Sequence, residues 1–86
     1  RVRVKMRLLK FSAEWCQPCK MLAKTLEGID VPYTISNIDI DDSPNLAADY
    51  KVRGVPTMVL VDDNDKEVGR LVGVKTKAQI EEFISE

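Results

Sequence analysis

Eighty-six residues with 44% hydrophobic side chains can bury one modest core and are too apolar for a disordered chain. Thirteen Lys and Arg against fourteen Asp and Glu give a net charge of −1, and no basic cluster interleaves with aromatics, which argues against a nucleic-acid footprint. No apolar run approaches the roughly 18 residues of a membrane span, and the basic start "RVRVKMR" is not followed by the continuous apolar stretch of a secretory leader.

The expectation is therefore a single domain over residues 1–86, located in the cytoplasm. Val2, Val4, Met6 and Leu8 alternate with Arg1, Arg3, Lys5 and Arg7, the period of two of a strand. The run continues into Leu9 and Phe11, which add apolar groups to the other face, as in a strand covered on both sides. A helix is expected from Pro18 to Glu27. Leu22, Leu26 and Ile29 fall on one stripe, Pro18 suits a first turn and Gly28 suits a stop. "PYTISNIDI" reads as a second strand, Tyr33 to Asp39, and Ser43-Pro44 opens a short helix carrying Leu46, Ala47 and Tyr50. "TMVLV" is a buried strand, "DDNDK" a turn, and "EVGRLVG" its antiparallel partner, with Gly69 marking a bulge. Thr76 followed by Gln79 forms a capping box, and Ile80, Phe83 and Ile84 give the last helix its apolar face. The order β-α-β-α-β-β-α defines an α/β fold. A four-stranded mixed sheet is flanked by helices, and the first βαβ unit is a parallel pair with a right-handed crossover.

Both cysteines of the chain lie in "SAEWCQPCK", as Cys16 and Cys19. Four readings bear on them. A zinc half-site needs two more ligands, and the chain has no His and no third Cys, so two chains would have to share it. A static bridge over two residues removes little unfolded-chain entropy. Two incidental core thiols are a third possibility, and a reversible dithiol/disulfide centre is the fourth. The location favours the fourth. Cys16 stands where a strand hands over to a helix, whose unpaired N–H groups and positive dipole end favour a thiolate. Cys19 lies one turn further on, sheltered yet close enough to attack. On this reading Cys16 is the accessible nucleophile that opens a substrate disulfide and Cys19 resolves the mixed disulfide. Pro18 restrains the backbone between them and Gln17 completes the motif.

The same residues resemble the thioredoxin family. "FSAEWCQPCKML" is similar to its active-site segment, whose usual core is Trp-Cys-Gly-Pro-Cys-Lys; "YKVRGVPTMVLVDDND" is similar to its second signature; "VGVKTKAQIEEFI" is similar to its closing strand, Gly turn and last helix. The resemblance implies a thioredoxin-like fold and a thiol–disulfide oxidoreductase. In it Trp15 is an exposed aromatic beside the cysteines. Pro56 is a cis-proline facing them, and Val55 offers its backbone to an extended substrate peptide. Gly73, with Val74, forms a low rim. By themselves the residues "GVPT" say only that a turn precedes a strand. The resemblance also implies no bound cofactor or metal beyond the redox-active disulfide, and a monomer. Electrons would come from an external thioredoxin-reductase-like enzyme. The substrates would be disulfide-containing proteins, among which ribonucleotide reductase is one class the family serves. Neither nucleic acid nor membrane is an expected partner.

Four departures stand out. The family usually has a further strand and helix before the first strand seen here, so the strand near Tyr33 is expected at an edge, kept polar by Thr34, Ser36 and Asn37. Gln17 replaces a glycine, and Ser12 a bulky aromatic. Lys10 stands where the family usually carries a buried aspartate, and Asn37 where a lysine often partners it. Lys10 has the parity of Leu8 and interrupts an apolar face. It is either a stem that packs while its ammonium reaches water or a cation that tunes the dithiol electrostatically. Two other functions stay open: a glutaredoxin-type donor reduced by glutathione, disfavoured by Trp15 and Gln17, and a thioredoxin-like binding subunit in which the cysteines are dispensable.

Overall fold

A computed structural model describes residues 6–85, so the expected strand positions Val2 and Val4 lie outside the described residues. In chain order the elements are β1 (Arg7–Ser12), α1 (Gln17–Glu27), β2 (Thr34–Asp39), α2 (Pro44–Asp49), β3 (Thr57–Val61), β4 (Glu67–Val72) and α3 (Lys77–Ile84). The sheet order is β2-β1-β3-β4. β1 pairs parallel with β2 and antiparallel with β3, and β3 and β4 form the hairpin. Among the described residues the polar strand β2 is an edge, as its Thr, Ser and Asn residues suit.

Strand parity divides the core into two layers. Leu8, Met58 and Leu60 pack with Leu22 and Leu26 of α1 and with Ile80 and Ile84 of α3. Leu9, Phe11, Val59 and Val61 point the other way and pack with Ala47 of α2. All five residues of β3 are buried, as befits a central strand covered on both faces. A third, smaller cluster of Ala13, Cys16 and Cys19 packs against Ile40 and Val55, and these two residues also pack against the α2 layer.

The capping box of α3 is formed: the Gln79 amide donates to Thr76 Oγ1 at 3.2 Å, and the Thr76 amide to Gln79 Oε1 at 3.0 Å. Ser43 is the N-cap of α2 but makes no side-chain capping bond. The bulge expected at Gly69 falls one residue earlier. Leu60 faces Gly69 while Val61 faces Glu67, so Val68 is the extra residue. Gly69 has a different task. A Cβ there would stand 3.1 Å from Phe83 Cε1, so the missing side chain lets the ring of α3 approach the strand.

Candidate active site

The site lies at the C-terminal end of β1. The Cys16 amide donates to the Ala13 carbonyl at 3.1 Å, closing the turn that delivers the chain into α1. Cys16 is the N-cap, with extended backbone, and its Sγ accepts the Cys19 amide at 3.1 Å. Sulfur thus takes the place that a Ser or Asp oxygen takes in other helices. Gln17 and Pro18 fill the first two helical positions, where proline's missing N–H costs no hydrogen bond. Cys19 follows one turn in, and the two cysteines are joined as a disulfide with a Cα–Cα distance of 5.3 Å.

The expected contrast of an exposed Cys16 and a shielded Cys19 is absent with the disulfide closed: the two are 3% and 4% exposed. What separates them is backbone position. Cys16 sits at the positive end of the helix and accepts a hydrogen bond, whereas Cys19 lies inside the first turn.

The Val55–Pro56 bond is cis. Pro56 is buried, and half-buried Val55 packs on the cysteine cluster. Thr57 Oγ1 donates to the Gly54 carbonyl at 2.7 Å, tying down the loop before the proline. The Gly73 amide donates to the Pro56 carbonyl at 2.8 Å, which brings the β4–α3 loop alongside. Gly73 has φ +86°, and a Cβ there would meet nothing within 4 Å. Glycine is required by the backbone conformation, and the space above it is open. Val74, next in the chain, is exposed.

Trp15 is 67% exposed. Its indole N–H donates to Asp41 Oδ2 at 2.9 Å, and the Asp41 amide donates to Asp39 Oδ1 at 2.8 Å. Sequence reasoning does not single out Asp41. It stands 26 positions from Trp15 among several acids, and no periodicity marks it.

Lys10 faces the layer of α1 and α3, opposite Met58 on β3 and beside Asn37 on β2. It is half-buried, and burial pushes its ammonium below the usual lysine value. Among the described residues no carboxylate pairs with it. Nor do the described residues contain a cluster of three His, Cys, Asp or Glu able to hold a metal ion. No helix there is long and apolar enough to cross a membrane.

A disulfide capping a helix, with Val55 of a cis Val55–Pro56 pair packed on it, is the constellation of a thiol–disulfide oxidoreductase. The thioredoxin family profile matches residues 2–86. A thioredoxin of Chlamydia trachomatis is 47% identical over 81 residues, covering 91% of this chain and 78% of that protein. One from Buchnera aphidicola is 42% identical over 82 residues, covering 91% and 74%. Among solved structures, a mutant thioredoxin from Halobacterium salinarum aligns with a TM-score of 0.85 at 34% identity, covering 95% of this chain and 74% of its own. The thioredoxin of Fasciola hepatica aligns at 0.84 and 30% identity, covering 96% and 81%. The chain belongs to the thioredoxin family, and its Cys16–Cys19 pair is the redox centre of a protein-disulfide oxidoreductase.

Proposed function

We propose that the protein is a single-domain electron carrier of the cytoplasm that takes two electrons from a thioredoxin-reductase-like enzyme and delivers them, as a monomer, to disulfide-containing proteins, ribonucleotide reductase being one such class. The observation that carries this reading is the cap itself: Cys16 Sγ accepts the Cys19 amide at the start of α1. The dithiol would act in two displacements. The Cys16 thiolate attacks one sulfur of the substrate disulfide; that bond breaks, and the released substrate sulfur leaves as a thiolate and takes up a proton. Cys19, losing its own proton, then attacks Cys16 Sγ, re-forming the Cys16–Cys19 disulfide and expelling the second substrate sulfur, which is protonated in turn. Two electrons and two protons pass to the substrate, and the reductase restores both. Pro18 and Gln17 hold the two sulfurs one turn apart. Trp15, Val55, Pro56, Gly73 and Val74 form the face that receives the substrate segment, with the Val55 backbone available to an extended peptide.

The test is reduction of insulin disulfides with NADPH and thioredoxin reductase in one arm and glutathione with its reductase in the other. Turnover in the first arm is expected. Cys16→Ser should abolish it, and Cys19→Ser should accumulate a mixed disulfide through Cys16. Turnover through glutathione alone would assign the glutaredoxin-type route. Mixed disulfides formed through Cys19 would reverse the two roles.

A further inference from the structure

The chain between α2 and β3 carries Val55, which belongs to the face assigned above to the substrate segment. Val52 packs on the α2 layer, and Val55 packs both on that layer and on the cysteine cluster. The segment begins with a forced turn. The Lys51 amide donates to the Ala48 carbonyl at 3.0 Å and the Val52 amide to the Ala47 carbonyl at 2.8 Å, a pairing that ends α2 with one residue in the left-handed conformation. That residue is Lys51, at φ +56°, where glycine is the usual choice. A side chain in that region persists only where its surroundings hold it there.

The β3–β4 hairpin supplies the hold. Arg70 of β4 stands across from Val59, a residue of the α2 layer. Its Nη2 donates to the carbonyl of Tyr50, the residue before Lys51, at 2.5 Å. The guanidinium is fixed in turn by Glu67: Nε donates to Oε2 at 2.7 Å and Nη2 to Oε1 at 2.8 Å, a planar two-point grip that a lysine cannot reproduce. The Tyr50 hydroxyl donates to the Asp65 carbonyl in the hairpin turn at 2.7 Å. At the other end of the segment the Gly73 amide, directly after β4, donates to the Pro56 carbonyl at 2.8 Å. Both ends of the segment are thus tied to β4 and the glycine that follows it.

We propose that Arg70 is a positioning residue for substrate capture: by holding the Tyr50 carbonyl it fixes the start of the segment, and with it the Val55 backbone, in the form that an incoming extended peptide pairs with. The inference rests on the reading of Val55 as the peptide-pairing backbone. It gives Arg70 no part in the chemistry of the sulfurs. A backbone already in its pairing geometry is spared the cost of ordering when the peptide arrives. The anchor therefore acts on peptide disulfides and is indifferent to disulfides that lack a backbone. The same bond caps α2, because the last carbonyls of a helix lack partners within it. A cap alone would stabilise the protein without distinguishing one disulfide from another.

Three probes test this on the reduced protein. The first is a peptide whose central cysteine carries a thionitrobenzoate disulfide. The second is the same peptide N-methylated at the amides flanking that cysteine, and the third is dithiobis(nitrobenzoate), which has no peptide backbone. In each, the Cys16 thiolate forms a mixed disulfide as the probe's S–S bond breaks, and the released thionitrobenzoate reports the rate by its absorbance. The parent should attack the peptide about three- to tenfold faster than its methylated twin, the worth of roughly one hydrogen bond. In Arg70→Met, which keeps an apolar stem and removes the donors, that ratio should fall below about twofold, while the rate with dithiobis(nitrobenzoate) stays within about twofold of the parent. Arg70→Lys, with one ammonium for two acceptors, should lie between the two. An Arg70→Met protein that keeps the parent's ratio would overturn the proposal and leave the bond as a cap of α2. One that slows all three probes equally would overturn it as well. A parent that does not distinguish the peptide from its twin would overturn it together with the peptide-pairing reading of Val55. None of these readings needs a reductase, so a failure here is separable from a failure of the electron route, which insulin reduction reports.

Discussion

Replacing Cys16 by Ser and by Ala separates its two tasks. Both variants lose the disulfide, and neither should reduce insulin. They differ in what they leave at the start of α1. A serine Oγ can accept the Cys19 amide that Cys16 Sγ accepts at 3.1 Å, whereas alanine leaves that donor without a partner in a buried setting. Loss of an N-cap costs about 1 kcal/mol, within a range of roughly 0.5–2 kcal/mol, and an unmet buried donor pushes toward the upper part. Helix α1 transmits the loss to the core, because it carries the buried residues Leu22 and Leu26. For a domain of this size 1 kcal/mol corresponds to about 4–8 °C in Tm. Thermal unfolding followed by far-UV circular dichroism, with both proteins in dithiothreitol, should therefore place Cys16→Ala several degrees below Cys16→Ser. Equal midpoints, or a more stable alanine variant, would refute the assignment of Cys16 as a working cap and remove the main support for a thiolate there.

Three further outcomes are expected. Asp41→Ala should change stability by no more than about 0.5 kcal/mol. It should nonetheless alter the emission and lower the anisotropy of Trp15, the single tryptophan of the chain, and an unchanged spectrum would mean that the Trp15–Asp41 bond does not hold the ring in solution. Gly73→Ala should cost about 1–2 kcal/mol in denaturant unfolding through its φ of +86°; a neutral or stabilising result would show that the loop relaxes without loss. Glu67, hydrogen-bonded to Arg70, is held below the usual carboxylate range. Its contribution is present above the unfolded value of about 4.3 and is lost as pH falls through the depressed folded value. Glu67→Gln should therefore flatten the acid limb of the urea midpoint by a few tenths of a kcal/mol at most, the pair being near the surface, and an unaltered limb would assign the acid loss to other carboxylates.

Period and punctuation make most of the elements legible. The stripe Leu22 and Leu26 and the box Thr76–Gln79 each specify an element by local chemistry, and each forms at its expected place to within a residue or so; the alternation expected from Val2 onward is met by a strand over Arg7–Ser12, with Met6 outside it and the earlier positions outside the described residues. The cysteine motif carries the chemistry because two thiols at the start of a helix have few alternative uses. Non-local features are less visible. The cis state of Val55–Pro56 follows from the family resemblance, since an X-Pro sequence alone favours trans. The bulge lies at Val68, one residue from its expected place, and the task of Gly69, which admits the ring of Phe83 from another element, has no local signature. Asp41 lacks any signal because its bond to Trp15 depends on how β2 and the start of α1 meet in space.

Ile40 and Val55 pack against both the cysteine cluster and the layer beneath α2. An engineer who wished to harden this protein therefore has unequal freedom on its two sides. Substitutions that refit the far end of the α1–α3 layer, around Ile29 and Ile84, touch residues that do not border the redox pair, and their effects should add independently. Repacking around Ala47, Val52 or Ile38 passes through the shared residues, so each gain in stability there is expected to retune the rate of disulfide exchange as well.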